Sequence, residues 1–477
     1  MITHSMEPIF LVLAVLCVSP VVTTVLSPLT IEYAYATVSS EDDQAPVIND
    51  PKFKPELIYK GIRYGTNMAV LSPDDILVLE RFEGTVQRIV NGSKLEEPVL
   101  DVDVSSQDGM LGIAVANHNG RSSPASSSSN EPNSLTDIFL YYTEAQDEGE
   151  DEGIGNRLYK YQLVDNKLIN PKLLLDLPAS PGPMHHGGEI LIGPDNNIYL
   201  VIGEVGATGE IDSKAINTKN GLDPDGRAGI LRVTQDGQPV GRNGILGDGH
   251  PLNLYYAYGI RNSFGMDFDP ITGNLWDTEN GPSYGDEINL VEPGFNSGWK
   301  EIQGVMKDSQ DINLLEDFGG KGKYSDPELS WEKNIGPTAL KFLDSNKYGV
   351  EYQNDMFVGD VNSGKIYHFD LNQNRTQLIL DGQLEDKVVE NPDEIPKKMV
   401  FGEGFGTITD IELGPDGYIY LLTHDESDGA VYRIVPANND NGALSELEAS
   451  EEEIETNNDE TTTDDNNGNN REAQEDE

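Results

Sequence analysis

The chain has 477 residues, with 83 acidic residues against 32 basic ones and a formal net charge of -51. Nucleic acid is excluded as a partner, because a polyanion is repelled by a chain of that sign, and the acidity reads as a solvated, soluble surface. A single cysteine, Cys17, excludes an internal disulfide framework and a thiolate metal cluster. The length allows one large all-β domain or two to three ordinary ones, and 49 glycines with 27 prolines point to many turns.

In chain order, the first feature is the apolar run "PIFLVLAVLCVSPVVTTVL", followed by "EYAYATVSS". Ala34 and Ala36 form the A-x-A pattern that a signal peptidase accepts. No Lys or Arg precedes the run. A stretch of roughly 18 or more apolar residues can span a bilayer, although Pro20 interrupts a helix here. Residues 1–36 are therefore expected to be a signal peptide or an N-terminal anchor, with cleavage near Ala36 preferred. The expected location is extracytoplasmic, secreted or membrane-anchored and facing outside, with any membrane attachment confined to this segment. The context "AVLC" lacks the small residue that lipidation of Cys17 would want. Residues 37–56 read as a linker.

From 57 to 436 the chain shows a recurring unit. "LSPDDILVLERFEGTVQRIV" from Leu71, "IGPDNNIYLVIGE" from Ile192, "FDPITGNLWDTENGP" from Phe268 and "LGPDGYIYLLTHDESDGAVYRI" from Leu413 each join Pro and a polar turn to an alternating run. A fifth, "NDMFVGDVNSGKIYHFDL" from Asn354, keeps two short strands about a Ser-Gly turn. Period-two alternation predicts strands, and Asp-Gly-type turns predict hairpins. Repeated hairpins predict an all-β propeller of four-stranded blades, with a β-sandwich array as the alternative. Two inserts, after Ala116 and after Thr143, read as surface loops. Residues 437–477 read as a disordered acidic tail, too polar to offset chain entropy by burial.

Chemistry-bearing residues fall in two stretches. His185 and His186 precede Gly187 and Gly188 at the mouth of a strand. Adjacent residues of an extended chain point to opposite sides, so only one histidine can face a channel, and the other faces a neighbouring loop. The second stretch, from Tyr256 to Lys300, holds Arg261-Asn262, Gly281-Pro282, Asp286-Glu287 and Trp299. Arginine suits an oxyanion or carboxylate. A Gly281-Pro282 turn would expose carbonyls to a hard cation such as calcium, with Asp286 and Glu287 as further candidate ligands.

Together these stretches resemble one family, the soluble glucose/sorbosone dehydrogenases, which are aldose sugar dehydrogenases that use pyrroloquinoline quinone. The resemblance runs from about Leu57 to Val435 and is carried by "SQDGMLGIAV", "HHGGEILIGPDNNIYLVIGE" and "YGIRNSFGMDFDPITGNLWDTENGPSYGDEINLV". It implies a six-bladed β-propeller with the quinone over its channel. It implies an exported quinoprotein oxidoreductase that oxidises the C1 hydroxyl of an aldose to a lactone, with hydride passing to the quinone C5. His185 is then the general base, and Glu204 orients it where the family usually has Asp. Gln107, Arg261 and Asn262 match quinone contacts, and Arg261 also stabilises charge developing beside C5. The carbonyls of Gly281 and Pro282 match those that hold the active-site calcium, while Asp286 and Glu287 fall in the region that binds additional, structural calcium. His186 falls at a position the family does not fix. The implied substrate is a small-molecule sugar; the electron acceptor is not named by the sequence.

The pattern departs from the family near the C-terminus. Thr407 and Thr409 stand where arginines hold quinone carboxylates, and Asn362 stands where some members have a lysine, with Lys365 on a different phase. Two other readings therefore remain open: a non-catalytic propeller binding a carbohydrate or protein partner, and a calcium-dependent propeller lactonase. Asn91-Gly-Ser and Asn374-Arg-Thr match the short glycan-acceptor motif of exported proteins.

Overall fold

The computed structural model describes residues 45–117, 136–146, 153–206 and 211–437. The expected signal segment at 1–36, most of the two inserts, and the tail beyond Ala437 lie outside the described residues. Among the described residues there is no α-helix, only strands, turns and six short 3-10 turns, and no helix is long and apolar enough to cross a membrane.

The strands form six sheets. Their first strands are Gly65–Ser72, Met110–Asn117, Ile190–Ile192, Ser263–Phe268, Pro337–Phe342 and Thr407–Leu413. Each lies against the first strand of the next sheet, and the last lies against the first, so the set closes a ring. The sheets are antiparallel at their inner strands, with a few parallel pairings at the outer edges of the third and fourth.

Apolar faces of neighbouring sheets fill the gaps, one cluster per gap. Leu77 and Leu79 of the first sheet meet Ile138 and Leu140 of the second. Phe139 and Tyr141 meet Leu200 and Leu231 of the third, whose Val201 and Ile230 meet Met266 and Leu275 of the fourth. Trp276 and Trp331 pack on Val358 and Tyr367 of the fifth, Phe357 and Phe401 on Ile408 and Leu421 of the sixth. Leu422 and Val431 then return to Met68 and Val78 of the first sheet. Each such side chain contributes about 1.5–3 kcal/mol when fully buried. The architecture is all-β and propeller-like. A closed ring of gaps is what a sandwich array lacks.

The ring is tied by the chain's own start. Phe53–Ile62 pairs with Gly429–Pro436 as the outer strand of the sixth sheet, and Val47–Ile48 edges the fifth sheet on Val400–Glu403. The expected linker at 37–56 is thus strand over much of its second half. Pro51 and Pro55 had masked it, but an outermost strand tolerates proline because one edge donates to nothing.

Toward the ring's centre, inner segments bring together Asn67, Glu189, Asp267, Lys341, Asp410 and Glu412. Lys341 Nζ lies 2.9 Å from Glu412 Oε2 and 3.9 Å from Asp267 Oδ2. Glu189 accepts from Asn67 Nδ2 at 3.2 Å, and Asp410 from Met68 N at 2.7 Å. Burial pushes the Glu189 and Asp410 carboxyls well above the usual range.

Candidate active site

The segment from Met184 to Gly188 runs into the inner strand Ile190–Ile192, and the strand Ile198–Ile202 returns beside it. Beyond that return, Val205 N donates to His185 O at 3.2 Å, and Gly206 N to Met184 O at 3.0 Å. The two segments are thereby clamped side by side. Both carry left-handed backbone at residues with side chains, φ 65° at His185 and φ 52° at Val205. That conformation is uncommon for any non-glycine residue and an outlier for a β-branched one, and such strain clusters at functional sites. Gly203 is required between them: a methyl group there would lie 2.4 Å from His185 O and 2.5 Å from Arg261 O.

This geometry aims His185 at Glu204. His185 Nδ1 stands 3.0 Å from Glu204 Oε1, with side-chain exposures of 9% and 0%. The other carboxylate oxygen, Oε2, accepts from Trp299 Nε1 at 2.8 Å. A carboxylate held by an indole and facing Nδ1 favours the tautomer that carries its proton on Nδ1. Trp299 is itself held by Asn217, whose Nδ2 donates to Trp299 O at 2.7 Å.

Arg261 joins the same site. Its guanidinium carbon lies 5.5 Å from the centre of the Trp299 ring, and its carbonyl accepts from Glu204 N at 2.9 Å. One terminal nitrogen donates to Asn280 O at 2.8 Å and Gly281 O at 3.1 Å, while Nε is buried without a partner. The Gly281 carbonyl also accepts from Asn334 Nδ2 at 3.0 Å. His185, Glu204, Arg261 and the Gly281 turn are therefore linked through contacts at one end of the ring.

The remaining candidates divide. Asn262 Oδ1 accepts from Gly187 N at 3.2 Å, so this oxygen pins the histidine loop. Gln107 is part-exposed beside Asp108, whose Oδ2 lies 3.3 Å from His186 Nε2. His186 turns away from its neighbour, into Asn156 Oδ1 at 2.8 Å and Gly182 O at 3.1 Å, and burial holds its pKa down to about 3.

Asp286 supports the Gly281 turn from below. Its carboxylate accepts from the backbone N–H groups of Gly281 at 2.9 Å, and of Ile335 and Gly336 at 2.8 Å each. These three bonds clamp the Gly281 turn and leave one acceptor position of Oδ1 beyond them. Glu287 likewise points inward, to Gly304 N at 2.7 Å and Ser297 Oγ at 3.3 Å. Both residues lie in the strand Asp286–Val291, so their side chains take opposite faces of the sheet.

Thr409 Oγ1 donates to Gly65 O at 3.1 Å, inside the framework, and Asn362 Nδ2 to Asn334 O at 3.1 Å. Trp299, Glu279 and Asn334 were not assigned roles from the sequence. Glu279 accepts from Arg261 N at 2.6 Å, and nothing in its spacing distinguishes it from a turn acid.

An all-β ring with a strained histidine–carboxylate pair at one end defines the class of protein; comparison with known proteins gives the family. Residues 63–433 match the glucose/sorbosone dehydrogenase family, and the chain belongs to it. The aldose sugar dehydrogenase YliI of Escherichia coli (strain K12) is 26% identical over 309 residues, 63% of this chain and 73% of that protein. The quinoprotein glucose dehydrogenase B of Acinetobacter calcoaceticus is 29% identical over 298 residues, 58% of this chain and 56% of that one. Among solved structures, the pyrroloquinoline quinone-bound aldose sugar dehydrogenase of Streptomyces coelicolor superposes with a TM-score of 0.56 at 22% identity, covering 82% of this chain and 100% of that chain. That likeness speaks for the fold.

Proposed function

We propose that this chain is an exported, calcium- and pyrroloquinoline quinone-dependent aldose dehydrogenase built on six blades, one per sheet. Family membership supports a sugar oxidoreductase. The observation that carries the finer reading is the His185 Nδ1 to Glu204 Oε1 contact of 3.0 Å beside Arg261.

The donor set suits the quinone in part. Arg261 keeps a buried, unpartnered Nε, and Gln107 stands part-exposed on the approach to the strand Met110–Asn117. These two, with Asn262, would hold the quinone, and the Gly281 and Pro282 carbonyls would hold calcium. The bound quinone supplies the two-electron acceptor that the chain's side chains lack. His185 Nε2 takes the proton from the sugar C1 hydroxyl, and Glu204 stabilises the imidazolium that results. The sugar leaves as a lactone. Arg261, fixed by two carbonyls and the Trp299 face, stabilises negative charge without reorganising. Reconstitution with quinone and calcium, followed by dye reduction across a panel of aldoses, tests this reading; no aldose-dependent reduction by quinone-loaded protein would sink it.

A second reading, a non-catalytic carbohydrate-binding propeller, is favoured by Thr407, Thr409 and Asn362. The three carboxylates of the quinone would lose several cationic partners there, each charge-assisted bond being worth about 1.5–3 kcal/mol. Calorimetric titration of calcium-loaded protein with the quinone separates the two, since tight binding defeats the second.

A further inference from the structure

The fifth sheet carries a second group of chemistry-bearing side chains, at the end of the ring away from the His185 loop. Asn334, Ile335 and Gly336 touch the Gly281 turn and its Asp286 just ahead of the inner strand Pro337–Phe342. That strand runs away from the turn, and Met356–Asp360 returns antiparallel with Met356 opposite Phe342. The residues ahead of Met356 therefore lie at the far end.

The next pairing, with Ile366–Phe369, sets Phe357 opposite His368 and Met356 opposite Phe369. Opposed residues share a face of the sheet, and so do residues two apart on one strand. Asp355 and Asp370, one step past the last pair, thus stand on the face of His368 and across from each other. His368 Nε2 lies 3.0 Å from Asp355 Oδ2 and 3.9 Å from Asp370 Oδ1. The donor atoms of all three side chains fall within 4.8 Å of one another. Tyr352 and Phe357 wall the imidazole, with ring centres 5.0 and 5.2 Å from its own. Asp355 and His368 keep 14% and 12% of their side-chain exposure against 58% for Asp370, so the group opens to water on the Asp370 side.

Two carboxylates opposed across a ladder repel each other. Nε2 carries at most one proton, and the 3.0 Å contact directs it to Asp355, while 3.9 Å puts Asp370 beyond a hydrogen bond to it. Lys398 also acts on Asp370, but its ammonium is paired with Asp381 at 3.3 Å. A divalent ion among the three donors answers both carboxylates at once. In a tetrahedral site with bonds of about 2.0 Å, ligand atoms stand about 3.3 Å apart, a spacing that the two measured contacts bracket. Reaching it asks for a small turn of the exposed Asp370 side chain. An imidazole with two carboxylates suits a borderline ion such as zinc, whereas calcium and magnesium take oxygen alone.

We propose that Asp355, His368 and Asp370 bind one divalent ion of the zinc class, with water completing its coordination on the Asp370 side. The ion clips the two strands of the hairpin together where their ladder stops. None of its ligands belongs to the proposed quinone or calcium set.

The test uses full-length protein, stripped with a chelator and then kept in excess calcium so that oxygen-only sites are filled. In equilibrium dialysis against zinc, the wild type is expected to bind one equivalent more than His368→Gln. Asp370→Asn, a change at an exposed side chain, is expected to weaken that equivalent by about a hundredfold or more, beyond what loss of an outer partner of a ligand costs. Zinc is also expected to raise the melting temperature of the wild type and not of His368→Gln. Equal zinc binding by the three proteins overturns the proposal, and so does a wild type that binds none, because protons alone then serve the two carboxylates. Should His368→Gln not fold, Asp370→Asn decides by the same dialysis.

Discussion

His185 Nδ1 and Glu204 Oε1 face each other at 3.0 Å across two backbone segments, and both segments pass through left-handed φ where they meet. The pair is thus imposed by the ladder rather than chosen by flexible side chains. Glu204→Gln keeps the shape and removes the charge that supports an imidazolium. Under the proposed function, kcat is expected to fall by about 10²-fold or more while the sugar KM changes little. Steady-state kinetics on quinone-loaded protein check it; a variant impaired only in KM would place Glu204 in sugar binding instead.

Trp299 joins the His185–Glu204 pair to Arg261. Trp299→Phe removes the 2.8 Å bond to Glu204 Oε2 and weakens the ring face under Arg261. The buried carboxylate oxygen left behind is expected to cost about 1–3 kcal/mol of stability. Urea denaturation measures that cost, and a change below about 0.5 kcal/mol would show that water replaces the indole.

His186 gives the protein an acid limb. Its folded pKa, pushed down to about 3 by burial, lies below the ordinary value of about 6.5. In the unfolded chain the imidazole takes up a proton first, so its contribution to stability is complete above about pH 6.5 and is lost as pH falls toward 3. His186→Gln is expected to flatten this part of the stability profile between those limits. Stability measured by denaturant titration at successive pH values checks the slope.

At the ring's centre, Lys341 is the cation beside Glu412, at 2.9 Å, and Asp267, at 3.9 Å. The carboxylates of Glu189 and Asp410 also act on it. Lys341→Met leaves that group of acids without its counter-charge, and a loss of about 3–5 kcal/mol is expected. Chemical denaturation at neutral pH measures it, and partial recovery at acid pH, where the carboxyls protonate, is the accompanying sign.

Thr407 stands at the start of the sixth sheet's inner strand, part-exposed. If the quinone lies over this end, Thr407→Arg restores a cation for one of its carboxylates. Affinity for the quinone is expected to rise by roughly tenfold to a hundredfold, the equivalent of one charge-assisted bond. Calorimetry on calcium-loaded protein measures the change; Thr409 is a poorer choice because its hydroxyl is already bonded to Gly65 O.

Much of this was legible in the sequence where side-chain pattern alone decides structure. The alternating runs after Pro-Asp and Pro-Asp-Gly turns became the strand pairs Ile190–Ile192 with Ile198–Ile202 and Thr407–Leu413 with Ile419–His424. His185 and His186 do take different partners, Glu204 and Asn156, but through left-handed backbone ahead of the strand rather than through strand alternation. What stayed hidden depended on long-range partners. Phe53–Ile62 lacked a strand signature because its Pro55 is harmless only at an outer edge. The three backbone donors to Asp286, two of them some fifty positions away in the chain, could not be read from its spacing. Trp299 gave no hint of its partner, since Glu204 lies 95 positions away in the chain.

Aldose-dependent dye reduction by quinone- and calcium-loaded protein, run in parallel for wild type and His185→Ala, decides whether this histidine moves the proton. The wild type is expected to turn over and the variant to lose about 10²- to 10⁴-fold in kcat while still binding the quinone. Equal turnover by both proteins, each shown by calorimetry to be quinone-loaded, would contradict the role given to His185.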